Sequence, residues 1–273
     1  MSSAEKERID VLLVEQGLYE SREKAKAAVM AGLVLVDGQR IDKSGTKVAR
    51  TSAISVKGTA HPYVSRGGLK LEKAIREFGL DLNGVVMLDI GASTGGFTDC
   101  ALQNGAKLVY AIDVGYNQLD WSLRTHPQVK VMERTNFRYT KSEDLDGPVP
   151  TFASIDVSFI SLRIILPALA NLLPAHAEVV ALIKPQFEAG REKVGKSGVV
   201  RDTAIHREVL QSVTQSAAAI GFQLLNLTFS PITGGQGNVE FLAHWSWSPS
   251  TDPAGPFEDQ IDEVILESIR AFS

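Results

Sequence analysis

Between residues 85 and 246 the chain alternates short apolar runs with amphipathic ones, and this alternation restricts the fold more than any other feature. Strand candidates fall at 85–90 (VVMLDI), 107–112 (KLVYAI), 129–132 (VKVM), 152–157 (FASIDV), 178–183 (EVVALI), 222–230 (FQLLNLTFS) and 239–246 (VEFLAHWS). Helical stretches at 161–173 and 203–220 separate several of them, the second behind Asp202, a good N-cap residue. Strands that alternate with helices predict a parallel, doubly wound α/β sheet with seven strands. The last two strands have only SPITGGQGN between them, so they are expected to pair antiparallel at one side of the sheet.

In such a sheet the ligand lies beyond the carboxyl ends of the strands, so the residues that follow each strand carry the functional information. After the first strand comes MLDIGASTGGFTD, Met87 to Asp99. Asp89 and Gly91 end the strand, Gly95 and Gly96 let backbone approach a ligand, and Ala92, Ser93, Thr94 and Phe97 complete the turn. The turn departs from the dinucleotide fingerprint G-x-G-x-x-G and offers hydroxyls in place of a pyrophosphate cradle. Asp113 follows the second strand, where a carboxylate can accept the hydroxyls of an adenosine ribose. A nucleoside ligand follows from the pair, and S-adenosylmethionine fits better than NAD. A simple tight turn is the alternative.

Two charged residues follow strongly apolar strands, Asp156 in FASIDVSFIS and Lys184 in EVVALIKPQFE. An ionised group there is costly unless it is paired or functional. A structural salt bridge between the two would account for both. Lys70, in YVSRGGLKLEKA before the first strand, and Glu240, at the start of the last, add a further cation and a further acid.

With 273 residues the chain can hold one large domain, or an ordinary one with a small one attached. The charge divides accordingly. Residues 1–73 hold 13 Lys and Arg against 9 Asp and Glu, leaving 15 against 23 for the rest. A basic module on an acidic body is the asymmetry expected of a nucleic-acid partner; an ordinary solvated surface would also produce it. In the basic part, RIDVLLVEQGL reads as a helix that stops at Gly17, and Ser21 caps a second one, SREKAKAAVMAG, that stops at Gly32. LVLVDGQRI then alternates and turns at Asp37-Gly38, a hairpin signal. Arg8, Arg22, Lys24 and Lys26 are its candidate RNA contacts, and the domains are expected at 1–60 and 61–273.

This N-terminal segment resembles the S4 RNA-binding domain, an α+β module, through Arg8, Leu12, Gly17, Ser21, Arg22, Ala25, Gly32, Val34, Val36, Gly38 and Val48. The remainder resembles the FtsJ-like ribose methyltransferases, of class I (Rossmann-like) fold, whose hallmark is a Lys-Asp-Lys-Glu tetrad in the order shown by Lys70, Asp156, Lys184 and Glu240. The combination is similar to the hemolysin A/TlyA family, and the blocks SRGGLKL, DIGASTGGFTDC, DVSFISL, LIKPQFE, GVVRD and SPITGGQGNVEF carry the likeness over about residues 8–245. The resemblance implies transfer of a methyl group from S-adenosylmethionine to a ribose 2′-hydroxyl of cytidine in 16S or 23S ribosomal RNA. The cofactor would be held by Asp89, Gly91, Ala92, Ser93, Thr94, Gly95, Gly96, Phe97, Asp113 and Asp156. Ribosomal RNA and the ribosomal subunits are the expected partners.

Lys184 is the expected proton acceptor, with a pKa lowered by burial and by the cation of Lys70, and Asp156 is expected to orient it. The loop FEAGREKVGKSGVVRD reads as a mobile flap that orders on RNA phosphates through Arg191, Lys193, Lys196 and Arg201, and Ser65 and Arg66 join the RNA contacts. The five histidines lack metal-ligand spacing, so no metal is expected. The single cysteine, Cys100, excludes an internal disulfide and a cysteine zinc site, and MSSAEKERID has no apolar leader core, so the expected location is the cytoplasm. The most apolar window, 164–183, is broken by Pro167, Asn171, Pro174, His176 and Glu178 and is no membrane span. Three rival functions are an NAD-linked oxidoreductase, a pore-forming cytolysin as the family's historical name suggests, and a ribosome-assembly factor that binds RNA without catalysis. The broken fingerprint, the lack of a span and the filled tetrad disfavour them in turn.

Overall fold

A computed structural model describes residues 6–15, 18–19, 21–52, 54–56, 61–195, 197–249 and 257–272. Gly17 and Lys196, singled out above, lie outside the described residues. The chain divides into two compact units, Met1–Pro62 and Tyr63–Ser273.

The first unit runs β1 (Lys6–Arg8), α1 (Ile9–Glu15), α2 (Arg22–Met30), β2 (Val34–Val36), β3 (Gln39–Arg40), β4 (Lys47–Ala49) and β5 (Ile54–Val56). The Ser21 hydroxyl accepts the backbone N–H of Lys24 at 3.3 Å and caps α2. Asp37 and Gly38 both adopt positive φ, 51° and 79°, which closes the two-residue turn between β2 and β3. Ile9, Leu12, Leu13, Ala25, Val29 and Val34 form the core. Three strands were not expected from sequence: β1, which precedes the first helix and pairs antiparallel with β4, β4 itself, and β5, which pairs antiparallel with β2. Their three residues each are too few to display an alternation.

The second unit runs α3 (Gly68–Phe78), β6 (Val86–Ile90), α4 (Gly96–Gln103), β7 (Leu108–Ile112), α5 (Trp121–Arg124), β8 (Val129–Met132), β9 (Phe152–Ile155), α6 (Leu162–Ala170), β10 (Glu178–Ile183), α7 (Pro185–Glu188), α8 (Thr203–Ala218), β11 (Phe222–Phe229), β12 (Phe241–Trp247) and α9 (Glu258–Phe272). Seven strands form one sheet in the order β11-β12-β10-β9-β6-β7-β8. β12 inserts between β11 and β10 and is antiparallel to both, whereas the remaining pairs are parallel. All five residues of β6 are buried, as a central strand covered on both faces requires. One apolar cluster joins the sheet to α6, α8 and α9, and another joins its opposite side to α3 and α4. The strand candidates therefore stand within two residues of their expected limits, and the sheet is the doubly wound type expected. Among the described residues no helix is long and apolar enough to cross a membrane.

The reversal of strand order lies between β6 and β9. Crossovers leave β6 toward β7 on one side, and the chain returns to β9 on the other, so loops part above this point and leave a crevice.

Among the described residues of the first unit, one charged or polar side chain is buried. The carboxylate of Asp10, fully inaccessible, takes two hydrogen bonds from Arg8, 2.9 Å from Nε and 3.0 Å from Nη2, and a third at 3.0 Å from Nη2 of Arg22. The bond from Arg8 outweighs burial, which acts in the opposite direction, and with Arg22 brings the Asp10 pKa down to about 2 from an ordinary 3.8. A carboxylate with a depressed pKa contributes stability that is complete above the unfolded value and is lost as pH falls through the folded one. Half-exposed arginines weaken the pair, so the contribution is about 1–2 kcal/mol. Hydrogen exchange on the full chain is expected to show α1 and α2 losing protection between pH 4 and pH 2, and Asp10→Asn is expected to lose that step. An unaltered step in the variant would assign it to other groups.

Candidate active site

The crevice is a cleft of about 1010 Å³. Four segments that follow strands or begin helices wall it. The first turn of α3 brings Ser65, Arg66, Gly67 and Lys70; the β6–α4 turn brings Gly91, Ala92, Ser93, Thr94, Gly96 and Phe97. The loop after β9 brings Asp156, Ser158 and Phe159, and the segment after β10 brings Lys184, Gln186, Phe187 and Arg191. The turn from Ile232 to Glu240 closes the remaining side.

Lys70, Asp156, Lys184 and Glu240 meet at its floor. The Lys70 ammonium donates to Glu240 Oε2 at 2.8 Å and to Asp156 Oδ2 at 3.2 Å. Lys184 Nζ lies 2.5 Å from Asp156 Oδ1 and 3.3 Å from the Ser158 hydroxyl. Lys70 and Lys184 are each 7% exposed and Glu240 2%. Two cations and two carboxylates cancel within one hydrogen-bonded chain, which is what allows four charges at this depth. Burial pulls the Lys70 pKa down, but Asp156 and Glu240 overcome it and hold it above the ordinary lysine value. Burial likewise pushes Asp156 up, and Lys70 and Lys184 overcome it and hold it below the ordinary value. Lys70 is thus shielded between two carboxylates, so the bare cation expected to act on Lys184 is replaced by a neutralised one. Lys184 has one carboxylate partner.

The cofactor candidates separate into two groups. Gly91, Ala92, Ser93, Thr94, Gly96, Phe97 and Asp156 line the cleft. At Gly91, φ is 87° and a Cβ would stand 2.5 Å from the backbone oxygen of Asp156, so only glycine fits. Asp89, Gly95 and Asp113 stand behind this lining. Asp89 is fully buried, with Thr98 Oγ1 donating to it at 2.6 Å and Ser154 Oγ at 3.0 Å, and burial raises its pKa to about 6. It braces α4 against β6 and β9. Gly95, at φ 99°, starts α4 against Leu119 and Leu123, where a Cβ would come within 2.3 Å of Leu123. The Asp113 carboxylate accepts the N–H of Ser93 at 2.8 Å and of Gly115 at 2.7 Å, and so shapes the turn that lines the cleft.

The RNA candidates are also altered by their partners. Arg8 and Arg22 both engage Asp10, and Lys24 follows the α2 cap. Lys26, on α2, is half-buried. Ser65 and Arg66 line the cleft, with Arg66 exposed. Arg191 and Arg201 are exposed, whereas Lys193 is paired with Glu208. The flap is less free than its glycines suggest: Val199 and Val200 are buried and Asn238 bonds both Gly198 and Val200.

Three residues that the sequence reading passed over support the tetrad. Gln186 Nε2 donates to Glu240 Oε1 at 3.2 Å. Glu188 accepts the Ser161 hydroxyl at 2.6 Å and the Leu162 N–H at 2.8 Å, which ties α7 to the start of α6 and fixes the loop carrying Asp156 and Ser158. Gly234 leaves room for Glu240, whose Oε1 would lie 2.1 Å from a Cβ there. The signal was present in part, because Gln186 and Glu188 belong to the same KPQFE run as Lys184. Among the described residues no group of three His, Cys, Asp or Glu is placed to hold a metal.

Comparison with known proteins matches residues 63–247 to the FtsJ-like methyltransferases and residues 7–54 to the S4 domain. The chain belongs to the FtsJ-like methyltransferase family. YqxC of Bacillus subtilis is 59% identical over 268 residues, 97% of this chain and 95% of that protein. The 16S/23S rRNA (cytidine-2′-O)-methyltransferase TlyA of Mycobacterium tuberculosis is 42% identical over 266 residues, 97% of this chain and 99% of that one. A solved structure of a candidate hemolysin from Streptococcus thermophilus, 53% identical, superposes with a TM-score of 0.79 over 99% of this chain and 98% of that one. The S4 domain and the class I sheet of this FtsJ-like methyltransferase are thus shared with relatives along nearly the whole chain.

Removing Asp156 while keeping its shape isolates the network's electrostatics. Asp156→Asn leaves Lys70 with Glu240 and takes from the buried Lys184 its carboxylate partner, and urea unfolding is expected to show a loss of about 3 kcal/mol. A loss below the error of the extrapolation would mean that the network contributes nothing to the fold.

Proposed function

We propose that this chain transfers a methyl group from S-adenosylmethionine to the ribose 2′-hydroxyl of a cytidine in ribosomal RNA, of the small subunit, the large subunit or both. The observation that carries the reading is the neutral Lys70–Asp156–Lys184–Glu240 chain at the floor of a cleft beside a glycine turn with no room for a Cβ. The relative from Mycobacterium tuberculosis bears the name of that activity. The residues that line the cleft suit the donor: Gly91 permits close backbone approach, and Ala92, Ser93, Thr94 and Phe97 supply a mixed polar and apolar wall. When bound, the donor supplies a methyl group on positively charged sulfur.

Within this chain the roles follow from the bonds. A ribose hydroxyl is a poor nucleophile and sheds its proton as it attacks. Lys184 Nζ is the assigned acceptor of that proton, with Asp156 and Ser158 fixing the position of the nitrogen. Lys70, kept charged by two carboxylates, and Glu240, held by Gln186, position the hydroxyl. Proximity within a preorganised network is the second contribution. On the RNA, Arg8, Arg22, Lys24 and Lys26 of the S4 unit and Ser65, Arg66, Arg191, Lys193 and Lys196 of the methyltransferase unit are the assigned contacts. The cations among them meet phosphate, so affinity falls with salt. A ribosomal substrate assigns the protein to the cytoplasm.

Ribosomal subunits incubated with the protein and labelled S-adenosylmethionine are expected to gain label on a cytidine 2′-oxygen, located by mass spectrometry of the digested RNA. Label on a base atom, or none, overturns the reading. Lys184→Met is expected to keep its affinity for S-adenosylhomocysteine, to lose about 10²–10⁴ in kcat, and to lose the acid limb of its pH–rate profile. An unchanged profile removes Lys184 as the proton acceptor.

A further inference from the structure

The basic flap and the turn before Glu240 are distant in sequence, yet one side chain joins them. Asn238 is 3% exposed and uses both ends of its amide. Its Nδ2 donates to the carbonyl of Gly198 at 2.9 Å and to that of Gly235 at 3.0 Å, and its Oδ1 accepts the N–H of Val200 at 3.0 Å. Its own carbonyl accepts the N–H of Gly234 at 2.8 Å. A buried amide with its strong bonds made is costly to disturb, because the backbone groups it releases lose a buried partner.

Both ends of this junction lead to functional groups. On one side, Val199 and Val200 are buried, and the Val200 carbonyl is bonded to the ring of His206 at 3.1 Å, so residues 198–200 form a fixed root. Arg201 leaves that root on one side, and the turn closed by Gly198 N–H on Gly195 O lies on the other, toward Arg191. On the other side, Gly234 stands against the Glu240 carboxylate with no room for a side chain, and the Glu240 carbonyl accepts the N–H of Ser230 at 2.8 Å. A shift of the flap root therefore moves Asn238, the 234–238 turn and the wall against which Glu240 rests. Glu240 in turn holds Lys70.

We infer that Asn238 is a positioning residue which couples the basic flap to Glu240, so that RNA phosphate bound by the flap is sensed in the tetrad. The inference rests on the RNA methylation proposed above, and it adds a condition: the flap cations raise kcat as well as affinity, and they do so through Asn238. A flap that only adds attraction would change affinity alone. Coupling through a shared hydrogen-bonded unit has a second signature, non-additivity of substitutions at its two ends.

The test is a double-mutant cycle on the full chain with ribosomal subunits as substrate. Arg191→Ala, a flap cation, is combined with Asn238→Ala, and kcat and KM are measured for the wild type, both single variants and the double variant. The expected result is that Arg191→Ala lowers kcat at least fivefold in the wild type and less than twofold in the Asn238→Ala background. Asn238→Ala alone should lower kcat at least tenfold and leave S-adenosylhomocysteine affinity within twofold. Independent effects that multiply, or an Arg191→Ala effect confined to KM, overturn the inference. Asn238→Asp keeps the acceptor for Val200 and loses both donors, and it serves where Asn238→Ala does not fold. It is expected to give the same loss of coupling, and full additivity with Arg191→Ala in that variant also overturns it. A wild type that methylates no RNA defeats the underlying reading instead, so the two failures are distinct.

Discussion

Four charges share the floor of the cleft, and the rest of the molecule is arranged so that they can. An isolated ammonium or carboxylate at this depth costs several kcal/mol, so none of the four is tolerable alone. Lys70 bridges Asp156 and Glu240, and Lys184 bonds Asp156, which makes a chain with Asp156 near its centre and no net charge. The neutrality is local and directional. Lys70 is held as a cation between two acids, whereas Lys184 is paired with one, so the two lysines of a single cluster have different surroundings.

That cluster requires residues from distant parts of the chain, and the sheet brings them together. Asp156 and Lys184 follow adjacent parallel strands β9 and β10, so their side chains leave the same edge of the sheet. Glu240 precedes β12, which runs the opposite way beside β10, and therefore starts at that same edge. An antiparallel strand is what allows a residue before a strand to join residues that follow strands. Lys70 comes in from the first turn of α3, which packs beside α4 and so lies next to the turn after β6. The strand reversal between β6 and β9 leaves space above the group, and Asp89 uses that position for bracing, with both its oxygens bonded to hydroxyls.

The sheet and two members of the tetrad, Asp156 and Lys184, were legible in local patterns, whereas Lys70 and Glu240 follow no apolar run and were joined to them by the family resemblance. Apolar runs of four to eight residues mark strands, and an ionised residue directly after such a run is improbable without a partner. The details that escaped depend on which way a side chain points or on what lies across a gap. Asp89 and Asp113 occupy the expected positions after strands, but one faces inward onto Thr98 and Ser154 and the other is taken by two backbone N–H groups. Gly95 reads as a residue for ligand approach, and its neighbours include Leu119 and Leu123, brought in by α5, a helix of four residues with no periodicity to detect, and by the segment before it. The flap reads as free because its glycines and cations are local, while Asn238, which anchors it, comes forty residues later.

The first unit shows how a buried acid can order basic residues at a surface. Asp10 is buried, and Arg8 and Arg22 neutralise it. A lysine in either place would have one compact charge to divide between an inner acid and an outer phosphate. An arginine carries five donors on a planar fork, so the edge turned toward Asp10 leaves others turned away. Arg8 spends Nε and Nη2 on the carboxylate, and Arg22 spends Nη2. The remaining donors stay on a half-exposed surface, already oriented by the acid beneath them, so less side-chain freedom would be left to lose on binding an anion. The acid thus lowers the local charge of the surface and raises its order, and the arginine geometry is what makes both possible.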